Sequence, residues 1–89
     1  MIYNGYANTK RLTTTTSWQE HQIDSDVQFI IIRNASANKV YFNFDSEDPV
    51  NYFTLCAVLQ SVKMQVKGGT SICYKSDAGS DVLEILSWG

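Results

Sequence analysis

Large side chains in this sequence recur at every second position, in short runs separated by polar turns. Val40, Phe42 and Phe44 alternate with Tyr41 and Asn43; Val62, Met64 and Val66 alternate with Lys63, Gln65 and Lys67; Ile72 and Tyr74 follow the same rule. A period of two puts each set on one face of an extended strand. No window keeps a helical period. The run over 52–62 (YFTLCAVLQSV) is apolar too continuously for its period to decide, and the polar turn and β-rich segments that follow favour a strand. Turn-forming stretches punctuate the chain about every ten residues, which is the spacing of a sandwich or barrel. They are Asp24-Ser25-Asp26, NASAN over 34–38, Ser46-Glu47-Asp48-Pro49, Gly68-Gly69 and SDAGSD over 76–81. The Gly-Gly pair reads as a two-residue hairpin turn, because both positions tolerate positive φ.

With 89 residues the chain makes one domain with a thin core. The expectation is an all-β fold, a single antiparallel β-sandwich or jelly-roll-like domain over 23–89. Before it, residues 1–22 are polar and include four consecutive threonines, Thr13 to Thr16. They read as an extended Thr-rich arm with room for one strand over 13–18. Two strands are apolar on both faces. In VQFIIIR over 27–33, Val27, Phe29 and Ile31 lie opposite Ile30 and Ile32; in VLEILSW over 82–88, Leu83 and Ile85 lie opposite Val82, Leu86 and Trp88. An open antiparallel sheet needs one apolar face, so the second face must be covered by another layer or another molecule. The large groups assigned to the face opposite the core, and hence to protein–protein contacts, are Trp18, Ile30, Ile32, Tyr41, Leu86 and Trp88.

The residues that could carry chemistry are few. His21 is the only histidine and sits in a polar segment, WQEHQ, remote in sequence from Cys56 and Cys73. One imidazole and two thiols fall short of a four-ligand zinc site, and no oxyanion motif accompanies a nucleophile. The cysteines read as reduced and at least half-buried. Asp45, Glu47 and Asp48 lack the spacing of a calcium loop, and Asp77 and Asp81 suit solvated turns. Lys67-Gly68-Gly69-Thr70 lacks the order of a phosphate loop. No catalytic, metal or cofactor residue is therefore expected. Charged residues make up 18% of the chain and the net charge is −2, without the basic face that nucleic acid requires. No run is long and apolar enough for a membrane-spanning helix, and the first twelve residues carry no apolar signal-peptide core.

The segment IIIRNASANKVYFNFD, a hydrophobic strand, an Asn-containing turn and a strand of VYFNF type, resembles a pattern in small virion proteins of tailed bacteriophages. VKGGTSICYKSDAGSDVLEILSWG matches their C-terminal part in style, and the similarity spans 23–89. The resemblance implies a structural protein of the phage particle without enzymatic activity, assembled in the host cytoplasm and resident in the virion. Capsid decoration is the leading role: a small β-fold, often a trimer or dimer, that binds the major capsid protein and stabilises the head. The alternative is a tail- or fibre-associated module that recognises a receptor or carbohydrate.

Overall fold

The computed structural model describes residues 7–45, 51–56 and 58–89. Among them lie eight strands: β1 Ala7–Thr13, β2 Gln19–Gln22, β3 Phe29–Asn34, β4 Val40–Phe44, β5 Phe53–Leu55, β6 Ser61–Gln65, β7 Ser71–Ser76 and β8 Val82–Trp88. No described residue is helical. The pairing has a simple logic. β1 pairs with β8, β2 with β7, β3 with β6 and β4 with β5, all antiparallel. The chain is thus one long hairpin whose two arms run side by side. Rolling that hairpin brings β3 against β8 and β4 against β7. Two four-stranded sheets result, ordered β1-β8-β3-β6 and β2-β7-β4-β5. This is the jelly-roll arrangement of an eight-stranded double sheet.

The inner faces of the two sheets meet in one core. Ile30, Ile32, Leu83 and Ile85 of the first sheet pack with Val40, Phe42, Leu55, Ile72 and Tyr74 of the second. Leu12, Ile23 and Val27 join them, and Val62, Met64 and Phe44 lie half-buried against the same cluster. Each fully buried aliphatic side chain contributes about 2 kcal/mol of transfer free energy. The alternation seen in β4, β6 and β7 is what sends these residues inward.

Rolling explains where local reading and structure part. Gly68-Gly69 does form a tight turn, with the Thr70 N–H donating to the Lys67 carbonyl over 3.2 Å and Gly69 at φ +87°. It is not a hairpin, because β6 and β7 belong to different sheets. The turn is instead pinned to Ile23, whose N–H donates to the Thr70 carbonyl and whose carbonyl accepts the Gly69 N–H. Gly68 is needed because a Cβ there would stand 2.1 Å from the Ser25 carbonyl oxygen. Of the connections between consecutive strands, only that from β4 to β5 stays within one sheet.

The described part of the N-terminal segment is likewise not an arm. β1 runs beside the whole of β8, from Ala7 opposite Trp88 to Thr13 opposite Val82, and β2 is an edge of the other sheet. The strand expected over 13–18 falls instead on the crossing between the sheets. Thr14 is held there by a buried polar knot. Its N–H donates to the Asp81 carbonyl, its carbonyl accepts the Ser80 N–H, and its hydroxyl meets the Ser76 hydroxyl at 2.7 Å and accepts the Asp81 N–H at 3.0 Å. These bonds satisfy backbone groups that a strand over 13–18 would have paired elsewhere. Asp81 is consequently buried rather than solvated. The run over 52–62 is not one strand: among its described residues β5 covers Phe53–Leu55 and β6 begins at Ser61, since Cys56 N–H donates to Gln60 Oε1 and Leu59 turns the chain at φ +66°. Val50, Glu47 and Asp48 lie outside the described residues.

Candidate functional site

The six residues expected at contacts divide among three places. Ile30 and Ile32 are wholly buried in the core, which overturns their assignment to an outer face. The cause is register. Ile32 stands in a row with Ile85 and Val62, and Ile30 in a row with Met64. These partners face the other sheet, so β3 turns Ile30, Ile32 and Asn34 inward and Phe29, Ile31 and Arg33 outward. Asn34 is accommodated inside because its amide donates to the carbonyls of Asn38 and Leu55 while its Oδ1 accepts the Ser36 N–H.

Leu86 and Trp88 do face outward, on the first sheet. Across that face the register sets Trp88 beside Phe29 and Leu86 beside Ile31. The Trp88 and Phe29 rings stack with centroids 5.7 Å apart, and Lys63 lies over the Trp88 ring at 5.7 Å. The next row is charged. Glu84 stands between Arg11 and Arg33 and accepts from both at 2.6 Å. A shallow cavity of about 380 Å³ opens between the two rows, lined by Thr9, Ile31, Arg33, Ser61, Glu84 and Leu86 among others. The face thus carries a block of four large apolar side chains bounded by Arg11, Arg33, Lys63 and Glu84. Its formal charge is three positive less one negative, or +2, on a chain of net charge −2. Phe29, Ile31, Arg33 and Glu84 were not singled out from sequence; the alternation of β3 and β8 carried the signal, and only the strand order brought it together.

Trp18 and Tyr41 lie on the outer side of the second sheet, Trp18 half-buried but Tyr41 buried, so Tyr41 is not available for the contacts expected of it. Tyr52 meets both rings edge-on, at 6.0 and 5.0 Å, and the Lys75 ammonium sits 5.4 Å from the Trp18 ring and 5.9 Å from that of Tyr41. The Tyr41 hydroxyl donates to Asp77 at 2.7 Å. That hydrogen bond, then burial and the Asp77 charge, push its pKa up to about 12. Asp77 is therefore a structural partner as well as a turn residue.

His21 is half-buried at the seam between β1 and β2, where a cavity of about 180 Å³ is lined by Lys10, His21, Asp24 and Asn8. Burial, and then the Lys10 charge, lower its pKa, with Asp24 opposing. The two cysteines form no disulfide: Cys73 is buried, whereas Cys56 is exposed, against the expectation that both are at least half-buried. Asp45 caps the start of β7, accepting the Ser71 N–H at 2.8 Å. Among the described residues, no three His, Cys, Asp or Glu side chains gather to hold a metal ion. Two surfaces stand out among the described residues: a basic-rimmed apolar face on one sheet and an aromatic cluster on the other. Compared with protein families, with characterised proteins and with solved structures, the chain matches none of them significantly.

Proposed function

We propose that this protein is a structural component of a bacteriophage particle, a decoration protein that docks on the capsid through the outer face of its first sheet. The observation that carries the reading is the Phe29–Ile31–Leu86–Trp88 block, which leaves apolar area in water beside two arginines and a lysine. Such a face suits a partner with apolar ridges and acidic margins. The jelly roll supports it by analogy, since that architecture recurs in viral capsid domains; a fold alone assigns no function. The reading also follows the resemblance of residues 23–89 to small virion proteins. Decoration requires a rigid domain and many weak contacts, and avidity over many copies makes modest single contacts sufficient.

The test is co-sedimentation of the purified chain with expanded capsids of the phage that encodes it. Saturable binding at fixed stoichiometry per capsomer is the expected result, reduced by Trp88→Ser and by raised salt. Absence of binding by a folded chain refutes it. A second reading, a carbohydrate-recognising tail or fibre module, is favoured by the neighbouring Trp18 and Tyr52 rings, since accessible aromatic rings on a sheet face suit sugar stacking. It predicts glycan-array binding that is lost in Trp18→Ala and retained in Trp88→Ser.

A further inference from the structure

At the seam between the edge strands β1 and β2, strand register turns polar side chains inward. Lys10 stands opposite Ile85, and Asn8 opposite Ser87, which is itself paired with Ile30. Cross-strand partners share a face, so Asn8 and Lys10 point the same way as the core residues Ile85 and Ile30. In the other sheet His21 stands opposite Ile72, and the imidazole faces inward by the same rule. Between the two edges lies the cavity of about 180 Å³. Buried Ile23 and Ile85 form its floor, while half-buried His21 and exposed Lys10 and Asp24 form its rim.

An inward charge at a sheet edge has a simpler use, which is to keep foreign strands away. One charge suffices for that. Here two basic side chains from different sheets line one cavity, and the Lys10 charge works against protonation of His21. Among the described residues no side-chain hydrogen bond or ion pair engages Lys10, His21 or Asp24. The donors therefore face the cavity unspent. The charged groups that face the imidazole are Lys10 from β1 and Asp24 from the turn after β2; β7 and β8 bring Ile72, Ile85 and Ser87, none of which titrates. With His21 neutral, Lys10 and Asp24 cancel. One added negative charge is balanced again when His21 takes up a proton.

We propose that this cavity binds a small aliphatic carboxylic acid, its carboxylate held between the Lys10 ammonium and the His21 ring and its hydrocarbon tail laid on Ile23 and Ile85. The ligand class follows from the lining. Two donors call for an anion, and charge-assisted hydrogen bonds to a carboxylate are the strong kind. Asp24 on the rim disfavours a dianion such as phosphate, whose second charge nothing would balance. The apolar floor gives a short tail a place that a bare inorganic ion leaves empty. At ~30 Å³ of liquid per water-sized group, the volume suits an acid of about four carbons. Binding is coupled to proton uptake by His21 from solvent, because the carboxylate offsets the Lys10 charge that opposes it. The site lies on the inner side of the first sheet, so the inference stands apart from capsid docking, which uses the outer side.

Proton NMR of the full chain tests it, because His21 is the only histidine and its ring signals need no assignment. Butyrate added at constant ionic strength should move those signals saturably, whereas sodium chloride and butylammonium should not. Affinity should be about tenfold higher at about pH 5 than at about pH 8, and saturating butyrate should raise the His21 titration midpoint by about one pH unit. Acetate, two methylenes shorter, should bind about tenfold more weakly. Lys10→Met should abolish saturation, and Lys63→Met, on the outer face, should leave it unchanged. A response to butyrate no different from that to chloride overturns the proposal and leaves Lys10 as an edge guard only. Saturable binding that survives Lys10→Met, or equal affinity at both pH values, overturns it as well. Should Lys10→Met fail to fold, the pH dependence of butyrate binding in the parent still decides.

Discussion

Ile31 and Ile32 are adjacent, chemically identical and, in this fold, on opposite sides of β3. Ile32 is wholly buried between the sheets, whereas Ile31 is half-buried on the outer face. Truncating Ile32 to alanine removes three carbons, worth about 2.4 kcal/mol at ~0.8 kcal/mol each. The space left in a core closed on both sides adds up to about 1.5 kcal/mol at ~24 cal/mol per Å³. The expected loss is thus about 3–4 kcal/mol, a large share of the roughly 4–13 kcal/mol that a chain of this size holds. In a thermal melt it corresponds to a fall of roughly 12–30 °C. Ile31→Ala should cost about 1 kcal/mol or less, because its outer side already faces water. Urea unfolding followed by tryptophan fluorescence, with m-values compared between variants, measures both. Equal losses, or the reverse order, would mean that β3 is slipped by one residue; the assignment of Phe29, Ile31, Leu86 and Trp88 to one outer face would then fall with it.

Gly68→Ala should destabilise by more than about 2 kcal/mol, because the new Cβ meets the Ser25 backbone, whereas Gly69→Ala, with nothing within 4 Å, should cost only about 1 kcal/mol of φ strain; chemical denaturation of the two variants separates clash from conformation. Tyr41 is protonated in the fold up to about 12, above its ordinary value of 10.0, so its contribution is fully present below pH 10 and is lost as pH rises toward 12. Denaturation midpoints measured over that range should fall less steeply in Tyr41→Phe and Asp77→Asn than in the parent. Thr14→Val keeps the shape but deletes the acceptor of the Asp81 N–H and the partner of the Ser76 hydroxyl, both buried, and should cost about 1–3 kcal/mol by the same assay. A loss below about 0.5 kcal/mol would show that the knot is not what holds the crossing.

Much of the fold was legible in local sequence. The alternation of Val40, Phe42 and Phe44, or of Val62, Met64 and Val66, assigns strand and inner face together, because a period of two leaves no other way to bury those side chains. The turns at NASAN, Gly68-Gly69 and SDAGSD sit where their residues demand. The candidate surfaces were only half legible. Trp88 and Leu86 are assigned outward as large groups opposite the presumed core and do lie outside, although the run over 82–88 is apolar on both faces; Trp18 and Tyr41 are picked out on the same ground. Ile30 and Ile32 are assigned outward from sequence and lie in the core instead, because the run VQFIIIR is apolar on both faces and nothing within it says which is core. That choice belongs to the neighbours, Ile85, Val62 and Met64, which lie far away in sequence.

The sequence by itself determined that this chain is all-β, with short strands, polar turns and more apolar face than one sheet can hide. Those properties are set by side-chain period and turn chemistry, which act over a few residues. Only the tertiary structure decided that the chain is a rolled hairpin, with Gly68-Gly69 joining two sheets and the Thr-rich segment supplying an edge to each. It also decided which isoleucines are core and which residues share a surface. Strand pairing links residues up to about 80 positions apart, such as Ala7 and Trp88. A backbone hydrogen bond is indifferent to sequence, so the choice of partner rests on how all the inner faces fill one volume together.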